Sequence, residues 1–495
     1  MSISGVGSRS SLTVQSLVDM RAQLDELQRQ LATGKKSTTY AGLGVDRGFT
    51  VGLRSQASGL KAFDDTISQV DFRLKVAQSA LQRIGAISNQ VRSSTVLGAN
   101  VVSNGSTIAQ SMAYSEVNEL LSLLNTQAGD RYLFAGRAVD KPAVDTFDHI
   151  MNGDGARAGF KQVVDERKQA DVGGPGGLGR LLITAPTATS VQVAEDAVSP
   201  FGFKLASVST TMTGATITGP AGSPPAASVD LTANPNNGEA INFEFNLPDG
   251  TKETVSLTAT SAASPGPNQF VIGATPAATA ANLQTALTTA IGKLADTALT
   301  AASAVAAGND FFGDPPQRVV GPTFTTATAT VAGTSTDTVM WYIGEDGPDP
   351  ARGTASARID TQISVSYGLR ANEQGLRWVL QNVASLAAVT YSQTDPNAQT
   401  RANALNARIN TNLNVPAGTQ TIESIVTELS GAQGALGTAT ERHTQTKNTI
   451  ADLLGQIEGV PTEQVGAEIL AMQTRLQGSL QTTAMLYKLS LVNYV

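Results

Sequence analysis

From Ile422 to Ile457 the chain repeats at alternating steps of 3 and 4: Ile422, Ile425, Leu429, Ala432, Leu436, Ala439, His443, Thr446, Ile450, Leu453 and Ile457. Nine of these eleven positions are apolar, which makes a sustained heptad seam. A second seam lies near the other end of the chain, at Leu53, Ala57, Leu60, Phe63, Ile67, Val70, Leu74, Ala77, Leu81 and Ile84. One extra three-residue step, Leu60 to Phe63, interrupts its alternation and would overwind a coil locally. Such helices need a facing apolar surface. Seams at both ends predict a rod whose termini run back together. The same pattern also fits two helical hairpins, each packed within its own domain.

Other stretches fill in the plan. A helix over about 11–33 carries Leu17, Met20, Leu24, Leu27 and Leu31, and Gly34 ends it. GKKSTTYAGLGVD then reads as a joint. The long helix runs over about 46–98 and stops at turn residues Gly98, Asn100 and Asn104. A helix over about 106–128 bears Ile108, Met112, Val117, Leu120, Leu121 and Leu124, and RYLFAG (131–136) follows as an apolar strand or turn. RLLITA and the stretch around VQVAEDAVSPFGFKL read as short strands. INFEFNL-PDG-TKETVSLTAT is a hairpin with Ile241, Phe243, Phe245 and Leu247 on one face. A helix begins beyond Thr275-Pro276, with Leu283, Leu287, Ile291 and Leu294 as its stripe. Ile359, Thr361, Ile363, Val365 and Tyr367 alternate as in a strand, and two shorter helices precede the seam at 422. After Gly459-Val460-Pro461 a last helix, about 462–493, carries Val465, Ile469, Met472, Leu476, Leu480, Leu486 and Leu489.

The expected fold is mainly α with an inserted α+β region. The expected domains are 1–45 plus 459–495 (terminal helices), 46–185 plus 346–458 (helical rod with short strands), and 186–345 (inserted module). The first and last helices form a marginal pair. A buried leucine contributes about 1.5–3 kcal/mol, whereas ordering each residue costs about 1–2 kcal/mol. Neighbouring copies covering the pair would complete it, and a contact repeated with a rotation gives an open helical array.

Composition narrows the function. A net charge of −7 and a pI near 5.1 argue against nucleic acid. Only 5% of residues are aromatic, so slender cores are expected rather than a deep aromatic pocket. The chain has no cysteine, which excludes a disulfide framework. MSISGVGSRS lacks the charged-then-apolar pattern of a secretory signal, and no run approaches twenty apolar residues, so no membrane span is expected.

MRAQLDELQRQLATGKKS, the long heptad helix, RYLFAG and the ending LYKLSLVNYV together resemble the bacterial flagellin family. The similarity covers about 1–140 and 355–495. Arg131, Tyr132, Phe134 and Gly136 bring it nearest to the branch that joins hook to filament. The resemblance implies a flagellin-like rod of paired terminal helices, a projecting middle module and a flagellar, extracellular location. It implies a homo-oligomer next to hook-associated and flagellin subunits, and delivery by an export chaperone and the type III export apparatus. Leu17, Met20, Leu24, Leu27, Leu31, Ile469, Met472, Leu476, Leu480 and Leu489 would form the assembly interface. Leu60, Phe63, Ile67, Val70, Leu74, Leu81, Leu429, Leu436, Ile450 and Leu453 would form the rod seam. GAQGALG departs from the pattern by placing three glycines on the seam helix, where they would permit close backbone approach.

Candidate chemistry is sparse, and neither an enzyme nor a cofactor is expected. Two distant histidines, His149 in a loop-like segment and His443 on the seam, leave little for zinc or nucleophile–histidine chemistry. The helical H-E-x-x-H pair of the zinc-protease insertion that some flagellins carry is absent. Gly174, Gly176 and Gly179 fit G-x-G-x-x-G but precede RLLITA rather than a helix. EDGPDP (345–350) and NGDG (152–155) miss the spacing of a calcium loop and read as turns. Two other functions fit the residues: filament flagellin, and a surface protein whose inserted module binds a glycan or host surface.

Overall fold

The computed structural model describes residues 4–96, 105–174 and 176–492. Gly98, Asn100 and Asn104 of the expected turn lie outside the described residues, as do the side chains of Leu486 and Leu489. The helices are α1 (Ser4–Thr33), α2 (Arg47–Val96), α3 (Ile108–Leu124), α4 (Phe147–Asn152), α5 (Phe160–Val172), α6 (Pro276–Leu294), α7 (Thr300–Phe311), α8 (Gln374–Ala388), α9 (Ala398–Asn412), α10 (Ile422–Glu458) and α11 (Thr462–Val492). Long helices at both ends and a β-containing middle give a flagellin-like fold. Helix α1 starts at Ser4, earlier than its apolar stripe predicts, because extending a formed helix costs far less than nucleating one.

The chain forms two compact units. The first comprises the chain up to 70, then 357–365, then 434 onward; the second comprises 71–356 and 366–433. In the first, α1 packs on α11, and the start of α2 runs antiparallel to the end of α10. Arg54 meets Glu458, and Asp64 meets Lys447. The Phe63 and His443 rings lie 6.0 Å apart. In the second, Gln433 donates to Asp71 at 3.2 Å and Gln78 to Ser430 at 3.4 Å, again antiparallel.

The second unit holds two four-stranded sheets. Strands β1 (Gln127–Ala128) and β2 (Arg131–Tyr132) form a separate small pair. One sheet joins β3 (Leu181–Thr184), β4 (Ser190–Glu195), β7 (Ala226–Leu231) and β6 (Ala215–Ala221) in that order. The other runs β10 (Gln269–Val271), β9 (Lys252–Thr260), β8 (Ala240–Asn246), β5 (Lys204–Thr210). In the β8–β9 hairpin Ile241 faces Leu257 and Phe243 faces Val255, so one face is apolar up to the Phe245–Glu253 pair near the turn. That face shares a core with Phe203, Leu283, Leu287 and Ile291. Thr275 caps α6 through the Ala278 N–H, with Pro276 in the first turn. At the base of this region the Glu239 carboxylate accepts from the Thr213 hydroxyl and N–H and from the Asn236 side chain and N–H, at 2.6–2.9 Å. Strands β11 (Gln317–Val320) and β12 (Ala329–Ala332) form a further hairpin.

Four expectations change. The alternation over 359–367 is not one strand. Strands β13 (Ser356–Arg358) and β14 (Ser364–Ser366) form a hairpin, because the Ile359 N–H bonds back to the Ile363 carbonyl and Asp360 accepts from the Thr361 N–H. Ile108, counted on the α3 stripe, is exposed, because Thr107 and Gln110 form a capping box that places it on the outer face of the first turn. His149 lies on α4, not in a loop, because Thr146 caps that helix. The glycines of GAQGALG approach no backbone. A Cβ on Gly431, Gly434 or Gly437 would meet nothing within 4 Å.

Candidate assembly interface

The joint is built around the end of α1. Gly34 turns the chain at φ +65°, a conformation glycine adopts at no steric cost, and its N–H donates to the Gln30 carbonyl at 2.7 Å. The Lys36 N–H then donates to the Glu458 carbonyl at 2.7 Å, and the Val460 N–H to the Gly34 carbonyl at 3.1 Å. These bonds make an antiparallel bridge between Lys35 and Gly459. The Glu458 carboxylate sits under the bridge and accepts from Arg54 Nε and Nη2 at 3.0 and 2.7 Å. The Arg54 guanidinium in turn lies over the Tyr40 ring, 5.7 Å from its centroid. Helix α1 runs into the joint and α11 runs out of it, so the two are antiparallel.

Along this pair the covered stripe is narrow. Leu17, Met20, Leu24 and Leu27 are half-buried on α1. On α11, Val465 and Ile469 are buried and Met472 and Leu476 half-buried. Leu31 and Leu480 stand in solvent; their neighbours Gln30 and Ser479 take the covered positions. A second apolar set is bare: Leu12 is 70% exposed, Leu470 66%, Phe49 57% and Val45 98%. Val45 and Phe49 escaped the sequence reading because they belong to no repeat. These side chains are left without apolar cover by the described residues.

The seam residues are covered throughout. Ile67, Val70, Leu74, Leu81, Leu429, Leu436 and Ile450 are buried, and Leu60, Phe63 and Leu453 half-buried. His443 fills its seam position as a buried ring.

RYLFAG is a spine of the second unit. Arg131 and Tyr132 form β2, and Phe134 is fully buried. The Gly136 N–H donates to the Leu369 carbonyl at 3.0 Å, and the Ala371 N–H to the Phe134 carbonyl at 2.8 Å. Arg370 beside it pairs with Glu345 at 2.7 Å, and Arg137 with Glu345 and Asp349. Glu345 and Asp349 of EDGPDP are thus engaged by arginines, and Asp154 of NGDG accepts from Arg157 and two backbone N–H groups. Gly179 of the glycine-rich stretch is held at φ +63° with Phe203 so close that a Cβ would lie 2.4 Å from its ring, a packing requirement; Pro175 lies outside the described residues. Among the described residues no helix is long and apolar enough to cross a membrane.

Residues 8–138 match the family profile described as the bacterial flagellin N-terminal helical region. The match takes in α1, α2, α3 and RYLFAG, so the chain carries a flagellin-type N-terminal region. No curated protein matches the chain in sequence.

Proposed function

We propose that this chain is a non-enzymatic structural subunit of the bacterial flagellum, working outside the cell and polymerising through α1 and α11. The observation that carries it is the half-covered pair of terminal helices, the first of which lies within a flagellin-type N-terminal region. Within the family the reading is hook-associated protein 3, the junction between hook and filament, and RYLFAG supports it. Its partners are further copies of itself, the adjoining hook-associated and flagellin subunits, an export chaperone and the type III export apparatus. Filament flagellin is the second reading, with which the profile match is equally compatible.

A gene deletion separates the two. Loss of a junction protein leaves bare hooks and flagellin free in the medium. Intact junctions with missing filaments would make the chain a filament subunit. Removing residues 1–30 or 465–495 should leave a soluble, folded monomer that joins no flagellum. A truncated chain that still assembles would refute polymerisation through these helices.

A further inference from the structure

RYLFAG contains two residues that the core does not consume. Phe134 and Gly136 are buried, whereas Arg131 and Tyr132 are half-buried. Both line a cleft in the second unit, together with Arg73 of α2 and Tyr367 just beyond β14. The buried Leu74 and Leu369 line it too. Backbone bonds fix its walls: the Tyr132 N–H donates to the Val139 carbonyl at 2.9 Å, and the Tyr367 N–H to the Ala355 carbonyl at 2.8 Å. Its free space is about 30 Å³. A single water needs roughly 10–15 Å³, so the cleft has room for a carboxylate-sized group and not for a whole small molecule.

The cleft carries two positive charges and no negative one. Arg73 Nη1 donates to the Tyr367 hydroxyl at 3.3 Å. Arg131 has no hydrogen-bond or ion-pair partner among the described residues. No aspartate or glutamate lines the cleft. The arginines around it are placed differently: Arg137 pairs with Glu345 and Asp349, Arg370 with Glu345, and Arg352 with Glu373. Two guanidinium groups at one partly apolar cleft repel each other, and an anion held between them converts that repulsion into charge-assisted hydrogen bonds. The planar fork of a guanidinium matches a carboxylate in shape as well as charge.

We propose that Arg73 and Arg131 form a carboxylate-binding cleft whose occupant is an aspartate or glutamate side chain of a second copy of this chain. The chain has 41 acidic residues against 34 Lys and Arg, so each copy offers the charge that the cleft lacks. The small space admits the end of a side chain and no more. The second copy as occupant rests on the polymerising reading above; the binding of a carboxylate does not.

Two measurements on the full-length chain test this. In the first, sodium acetate replaces sodium chloride at constant ionic strength, and the Arg131 Nε–Hε resonance is followed by NMR after assignment with Arg131→Gln. The resonance should shift and saturate, and Arg73→Gln should weaken the binding about tenfold, as loss of one charge-assisted hydrogen bond does. A resonance that acetate does not move overturns the cleft. In the second, sedimentation gives the concentration at which the chain self-associates. Arg131→Gln should raise it about tenfold, and Arg131→Lys should recover only part of that, because an ammonium keeps the charge and loses the fork. Neither change should lower the melting temperature of the unassociated chain; a drop would assign Arg131 to the fold instead. Acetate binding with unaltered self-association would overturn the second copy as occupant. A wild-type chain that never associates would overturn the polymerising reading and this occupant with it, while the acetate titration still decides the cleft.

Discussion

Helix α6 and the terminal helices α1 and α11 are all amphipathic, yet they end in different states. Leu283, Leu287 and Ile291 of α6 are sealed into one core with Phe203, Phe243 and Phe245. The stripes of α1 and α11 are only half covered, and Leu12 and Leu470 stand in solvent. Sheet and helix in the middle region complete each other's apolar faces. The terminal pair meets along one narrow face each way, and nothing among the described residues covers the rest. The first region closes its own core; on the proposed reading, the second is completed by neighbouring copies.

The largest expected effect separates these states directly. Phe243→Ala should cost about 3–5 kcal/mol of folding stability, as a large aromatic removed from a closed core does. Leu24→Ala should cost under about 1 kcal/mol in the monomer, because its site is half open, yet block polymerisation. Urea denaturation and sedimentation measure the two. Equal destabilisation by both changes would erase the contrast.

A smaller effect concerns the open glycines of α10. Gly434→Ala and Gly437→Ala should each raise stability by about 0.5–1 kcal/mol, since alanine restrains the unfolded chain and its Cβ meets nothing. If either change also hinders assembly, that bare surface is where another copy sits, and the contrast extends from the terminal pair to α10.

The smallest effect belongs to the self-sufficient region. Hydrogen bonds from the Thr213 hydroxyl, the Asn236 side chain and both residues' backbone N–H groups hold the Glu239 carboxyl at about 2, below its ordinary 4.5. A depressed folded value gives stability that is full above 4.5 and is lost as pH falls toward 2. Glu239→Gln should therefore flatten the acid limb of the unfolding curve in that window, with little change at neutral pH. An unchanged limb would mean that the loop opens before the carboxylate is protonated.

The helical seams, the β8–β9 hairpin and α6 were legible because large apolar residues recur at a fixed period. Helix α7 was not: Ala301, Ala302, Ala304, Ala306 and Ala307 are buried on every side, so it has no polar face to set a period. Helix α5 was hidden for the opposite reason. Its Glu166, Arg167 and Asp171 look like a solvated face but are buried, with Arg167 paired to Asp171 at 2.9 Å and Asp310 at 2.6 Å. Burial pushes the Asp171 carboxyl upward against the pull of that guanidinium. At the candidate interface the covered leucines were readable from spacing. The side chains left bare were not, because exposure depends on what the folded chain fails to cover.

The bridge at Lys35 and Gly459 has a consequence for timing. Its neighbours Lys36 and Gln456 are 420 residues apart, and such a loop closes only against a large entropy cost. Helix α1 is synthesised long before α11, on which it packs, and has no mate until that helix exists. Through synthesis of the intervening residues that segment travels single, and the arrival of α11 decides when it settles.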